Sequence, residues 1–154
     1  MSRFGIPVEG SVAEDRIMDA LAATARSLGF PAETYPVTDA HSFNSFSHSL
    51  RIILPGEKKQ RVSLIIPIDS PYETGAPDHT DYDPWINPAL AEILLRKLAT
   101  MPRHFTIVCE FLGAESGNDM AGLGSRRYVQ DVAMRERLFN RYLSITRNRD
   151  TLSI

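Results

Sequence analysis

This 154-residue sequence has one cysteine, no long apolar run and almost no charge imbalance. A single thiol cannot close an internal disulfide, so nothing in the chain calls for an oxidising compartment. Cys109 lies in the apolar run FTIVCEF, where a buried, inert thiol is expected rather than a nucleophile. No stretch approaches the ~18 apolar residues that a spanning helix needs, so no membrane partner is expected. The first ten residues, MSRFGIPVEG, lack the apolar core of a secretory signal, and the expected location is cytoplasmic. The formal net charge is -2, so no nucleic-acid partner is expected. Repeats, low-complexity tracts and internal linkers are absent too. What is present is ordinary for a soluble globular chain: 43% hydrophobic and 23% charged residues. The length fits a single domain over residues 1–154.

Ser11 and Glu14 have capping-box spacing, and Ile17, Met18, Leu21, Ala22, Ala25 and Leu28 follow at helical intervals. This predicts a helix over 12–28, with Gly29 just beyond its end. Strands are expected at 33–37, 49–54 and 63–68. The last of these, SLIIPI, is an apolar run of the kind buried on both faces. Pro55-Gly56 marks a turn, with Glu57 to Gln60 as its charged tip. Residues 69–85 form a long acidic loop. Asn87 and Pro88 look like an N-cap and first helical residue, with Leu90, Ile93, Leu94 and Leu98 marking the buried face. A buried strand over 105–111 follows, then a helix from Ser125 to about Phe139. Residues 142–146 and 151–154 are expected to be strands. Strands alternating with helices imply an α/β fold with a mixed, largely parallel sheet and helices on both faces.

The segment Phe105 to Val129, FTIVCEFLGAESGNDMAGLGSRRYV, carries the most chemistry. It runs from a strand into a Gly-rich loop that holds Glu115, and then through Leu123-Gly124-Ser125 into a helix. A carboxylate just past the C-terminal end of a buried strand is where open α/β sheets place their sites. The segment resembles the GAEE…GLxGSxxYV element of the co-catalytic zinc aminopeptidases, the aminopeptidase Y and bacterial leucyl aminopeptidase type. SLRIILPG, SLIIPIDS and NPALAEILLRKLA come in that family's order, so the resemblance spans roughly Gly10 to Val129. It implies a three-layer α/β/α sandwich in a partial or shortened form, the N-terminal portion of the family fold. The chain's final Leu152-Ser153-Ile154, with no closing element, fits a shortened form.

The resemblance also implies roles. Glu115 stands at the general base, and Ser116 where the following Glu should bind zinc. In the His-x-Asp element Asp69 matches the acid, but Pro67 occupies the His position. In the Asp-Asn element Asn87 matches the amide, but Ile86 replaces the metal-bridging Asp. No acid lies in Tyr142 to Ile145, where a further ligand belongs, and a final His has no counterpart. Zinc needs about four N, O or S donors at ~2.0–2.3 Å, and without a metal-bound water a Glu base has nothing to activate. The expectation is a degenerate, non-catalytic domain with a binding or structural role and no cofactor. Glu115 is then a relic base, and Asp69, Asn87, His79, Asp81 and Asp83 line the rim of a relic cleft that holds a peptide ligand. Each also has a plainer reading: Asn87 as a helix cap, Asp69 as a turn cap, Glu115 as a solvated or amide-bonded loop acid. The alternative is an active metallopeptidase whose zinc has moved to His79, Asp81, Asp83 and Glu115. The run DHTDYD lacks the glycine and closing glutamate of a calcium loop. A half-domain exposes a sheet edge and an apolar face. The expected partner is therefore another copy of the chain or the remainder of a longer polypeptide.

Overall fold

The structure, a computed structural model, describes residues 6–37, 47–70, 85–116, 122–132 and 134. The chain falls into two compact units, Met1–Gly124 and Ser125–Ile154. The first unit contains α1 (Val12–Ser27), β1 (Ala32–Val37), β2 (Ser47–Leu54), β3 (Lys58–Pro67), α2 (Ile86–Thr100) and β4 (Phe105–Leu112).

Helix α1 forms where the pattern predicts it. Ser11 is extended, and its Oγ accepts the Glu14 N–H at 3.1 Å. The Glu14 carboxylate reaches past Ser11 to the Gly10 N–H, at 2.8 Å. Ile17, Met18, Leu21, Ala22 and Ala25 are buried along one face. Gly29 ends the helix at φ +83°, a conformation that glycine adopts without a side-chain clash. There the N–H groups of Gly29 and Phe30 bond to the carbonyls of Arg26 and Ala25.

The strands lie in the order β1-β2-β4-β3. The pairs β1–β2 and β2–β4 are antiparallel, and β3–β4 is parallel. The sheet is thus mixed, as expected, but not largely parallel: among the described residues one of its three pairings is parallel. The link from β2 to β3 is too short for a crossover helix, so β3 returns antiparallel to β2, and β4 inserts between them. A parallel neighbour needs a long crossover, and α2 supplies it between β3 and β4. Gly56 sits against the Phe105 carbonyl so closely that any Cβ would overlap it. The supposed tip at Lys58 to Gln60 is instead the start of β3.

Leu50, Ile52 and Leu54 of β2 and Cys109 and Phe111 of β4 form one core with α1 and with Ala91 and Leu95 of α2. On alternate positions the sheet carries a buried ion pair. Arg51 Nε donates to Glu110 Oε1 at 2.5 Å, and the Tyr35 hydroxyl donates to Glu110 Oε2 at 3.1 Å.

Two expectations fail on the other flank. β3 is not buried on both faces: among the described residues it is the edge strand, and Val62 and Ile65 are 44% and 48% exposed. In α2 the buried residues are Pro88, Ala91 and Leu95, whereas Leu90 and Ile93 are exposed. Apolar residues occur almost all round this helix, so spacing alone could not choose its inner face. Its C-terminus is held by Arg103, which donates to the carbonyls of Leu98, Ala99, Met101 and Pro55.

In the second unit, helical residues include an Arg127–Asp131 pair at 3.6 Å, one turn apart. The remainder of the expected helix and the strands at 142–146 and 151–154 lie outside the described residues. Among the described residues, no helix is long and apolar enough to cross a membrane.

Candidate functional site

Parallel pairing brings the C-terminal ends of β3 and β4 side by side, with Pro67 opposite Leu112. The Ile68 N–H donates to the Leu112 carbonyl at 2.9 Å and extends this contact by one residue. Asp69 and the Glu115 loop are therefore neighbours at the sheet's carboxyl edge. Asp69 is almost wholly buried, and its Oδ2 accepts the N–H groups of Glu115 and Ser116 at 2.9 and 2.7 Å. The Ser116 hydroxyl donates to the Asp69 carbonyl at 3.4 Å. The other oxygen, Asp69 Oδ1, is buried without a hydrogen-bond partner among the described residues. Burial pushes the Asp69 carboxyl up to about 6, against the lowering effect of the two amides, and the nearby Glu115 charge adds to the rise.

The loop turns sharply after β4. Ala114 is buried at φ 56°, a left-handed conformation that costs a residue with a Cβ roughly 1–2 kcal/mol. Its carbonyl accepts the Leu123 N–H at 2.9 Å, and the Glu115 carbonyl accepts the Gly122 N–H at 3.0 Å. Gly124 has no room for a Cβ, because the Gly113 carbonyl and Glu115 Oε1 lie against it. Glu115 is half-buried in this closed turn.

Glu14, in the first turn of α1, feels the Asp69 charge. It is fully buried; its Oε1 accepts the Ser47 hydroxyl at 2.8 Å, and its Oε2 is bonded to the Gly10 N–H. Burial pushes its carboxyl up to about 7, and the negative charges of Asp69 and Asp15 act in the same direction. The capping-box spacing flags Glu14, but only the tertiary fold reveals its bond to Ser47.

Asn87 is not an N-cap. Trp85 holds that place without a side-chain capping bond, and Asn87 is the second residue of α2. Pro88 comes third, where its missing N–H is still harmless because the first four N–H groups have no helical partner. Among the described residues no hydrogen bond joins Asn87 to Asp69 or Glu115. His79, Asp81 and Asp83 lie outside the described residues. Among the described residues, no three His, Cys, Asp or Glu side chains come together as a metal would require.

The fold resembles solved zinc exopeptidases and glutaminyl cyclases. A Zn-dependent exopeptidase from Parabacteroides distasonis matches with a TM-score of 0.64 at 21% identity, over 81% of this chain and 50% of that one. Tannerella forsythia glutaminyl cyclase matches at 0.63 and 23% identity, over 79% and 49%. A leucine aminopeptidase precursor from Bacteroides thetaiotaomicron matches at 0.62 and 18% identity, over 81% and 51%. This chain therefore has a zinc-peptidase-like α/β fold that corresponds to about half the length of these structures. No family model and no curated protein matches the sequence.

Proposed function

We propose that this chain is a non-catalytic, zinc-peptidase-like domain whose role is binding or structural. The observation that carries this reading is the bonding at Asp69 and Ser116. Where the family resemblance calls for a ligand, Ser116 offers a hydroxyl and backbone N–H that are both bonded to Asp69. The Pro67 ring, at the end of β3, has no lone pair to give a metal, and the Ile86 side chain offers only hydrocarbon. The residues present do not fit a zinc ion at that place, so Glu115 acts as a loop acid and not as a base. Exposed Val62 and Ile65 on β3, with Ile86, Leu90 and Ile93 on α2, support a partner-bound state. That partner is a second copy or the remainder of a longer polypeptide, and a peptide ligand in the relic cleft is part of the same reading.

Elemental analysis after dialysis against trace zinc, with parallel aminopeptidase and glutaminyl cyclase assays, tests it. The expected result is zinc well below one per chain and no turnover above a Glu115→Gln control. Stoichiometric zinc that is lost in His79→Ala or Asp81→Ala would overturn the reading in favour of a relocated metal site.

A further inference from the structure

Glu14 stands at a junction. Its carboxylate holds the Gly10 N–H ahead of α1 and the Ser47 hydroxyl at the start of β2. Gly113, the first residue beyond β4, packs against that carboxylate and against Ser47 and the His48 carbonyl so tightly that no Cβ fits. One side chain therefore joins the start of α1, the start of β2 and the root of the Glu115 loop. Asp69 holds the same loop through the amides of Glu115 and Ser116 and has one buried oxygen without a hydrogen-bond partner among the described residues.

Among the described residues, the charges that act on this junction share one sign. Asp15 on α1 and Asp69 beyond β3 both act on Glu14, and Glu115 beyond β4 acts on Asp69. Glu9, ahead of α1, also has a buried oxygen without a hydrogen-bond partner among the described residues. From β2, the His48 imidazole is turned to Asp15, 3.2 Å away, and not to Glu14. A buried site of this kind holds one negative charge far more easily than two.

We propose that Glu14 is a proton-operated latch between the start of α1 and the Glu115 loop: neutral, it holds the two together, and ionised, it loosens them. A protonated carboxyl keeps lone pairs for the Gly10 and Ser47 donors, so the latch closes without losing those bonds. Once ionised, Glu14 repels Asp69, and the strain falls on Gly113 and the turn behind it. The upward displacement of both carboxyls places the change near neutral pH. The latch does not depend on whether the domain retains any catalysis.

The test is carboxyl-carbon NMR titration of the full chain, together with hydrogen exchange at the Gly10, Glu115 and Ser116 amides. The Glu14 carboxyl is expected to titrate well above the ordinary glutamate range. Protection at the three amides, corrected for intrinsic exchange, should fall about tenfold between about pH 5 and 8. In Glu14→Gln, which keeps shape and hydrogen bonding without the charge, protection at the Gly10 amide, which is bonded to this side chain, should stay flat. An ordinary glutamate titration overturns the proposal, and so does an unchanged pH profile in Glu14→Gln. If that variant does not fold, the wild-type titration decides alone.

Discussion

The two helices of the first unit differ in how completely the described chain covers them. Helix α1 has a side-chain cap, a buried apolar face and Glu14 anchoring its start. Helix α2 has no side-chain cap, a small buried face at Pro88, Ala91 and Leu95, and exposed Ile86, Leu90 and Ile93. β3 repeats the pattern beside it, with Val62 and Ile65 exposed. A helix that is apolar nearly all round belongs in an interior. The comparison teaches that α1 presents a finished surface, whereas the flank of α2 and β3 is composed like one that is covered.

The largest expected effect lies under α1. Leu21→Ala removes a buried side chain from the core and should cost about 2–5 kcal/mol by denaturant unfolding. A loss below about 1 kcal/mol would mean that α1 is no better packed than α2. The effect of pH comes next. Glu14 and Asp69 are both raised above their unfolded values, so the stability they contribute is fully present below the ordinary carboxylate range. It is lost as pH rises through about 6 and 7. Melting temperature should therefore fall across that window, and the fall should shrink in Glu14→Gln. A melting temperature that rises through the same window would contradict the assignment. Ser11→Ala, which removes the cap, should cost about 1 kcal/mol. No side-chain cap exists on α2 to lose.

Much of the first unit was legible in the sequence because its signals are local. Ser11, Glu14 and Gly29 mark the ends of α1, and the run from Phe105 marks β4 to within a residue. The errors fall where tertiary placement decides. SLIIPI reads as a doubly buried strand, yet among the described residues strand order makes β3 an edge. Asn87-Pro88 reads as a cap and first residue, yet the helix starts earlier, at Ile86. At the site, Asp69 and Glu115 were visible from the resemblance, and parallel pairing brings their backbones together. Glu14 was legible as a cap residue only, because nothing local tells that Gly113 and Ser47 will close around it.

The smallest expected effect on the isolated fold is the most informative about α2. Leu90→Ser with Ile93→Ser alters two exposed side chains, and surface changes away from special features usually stay within about 0.5 kcal/mol. If α2 is a solvent-facing helix, unfolding and the mass by light scattering should both be unchanged, and solubility should improve. If a second copy covers the stripe, the wild-type chain should be larger than a monomer, and the double variant should shift to monomer with little change in the fold. If the covering surface belongs to a longer polypeptide, the chain alone should be monomeric and should bind an apolar dye, and the double variant should lose that binding. A double variant that unfolds outright would contradict the exposed placement of Leu90 and Ile93, and with it the contrast between the two helices.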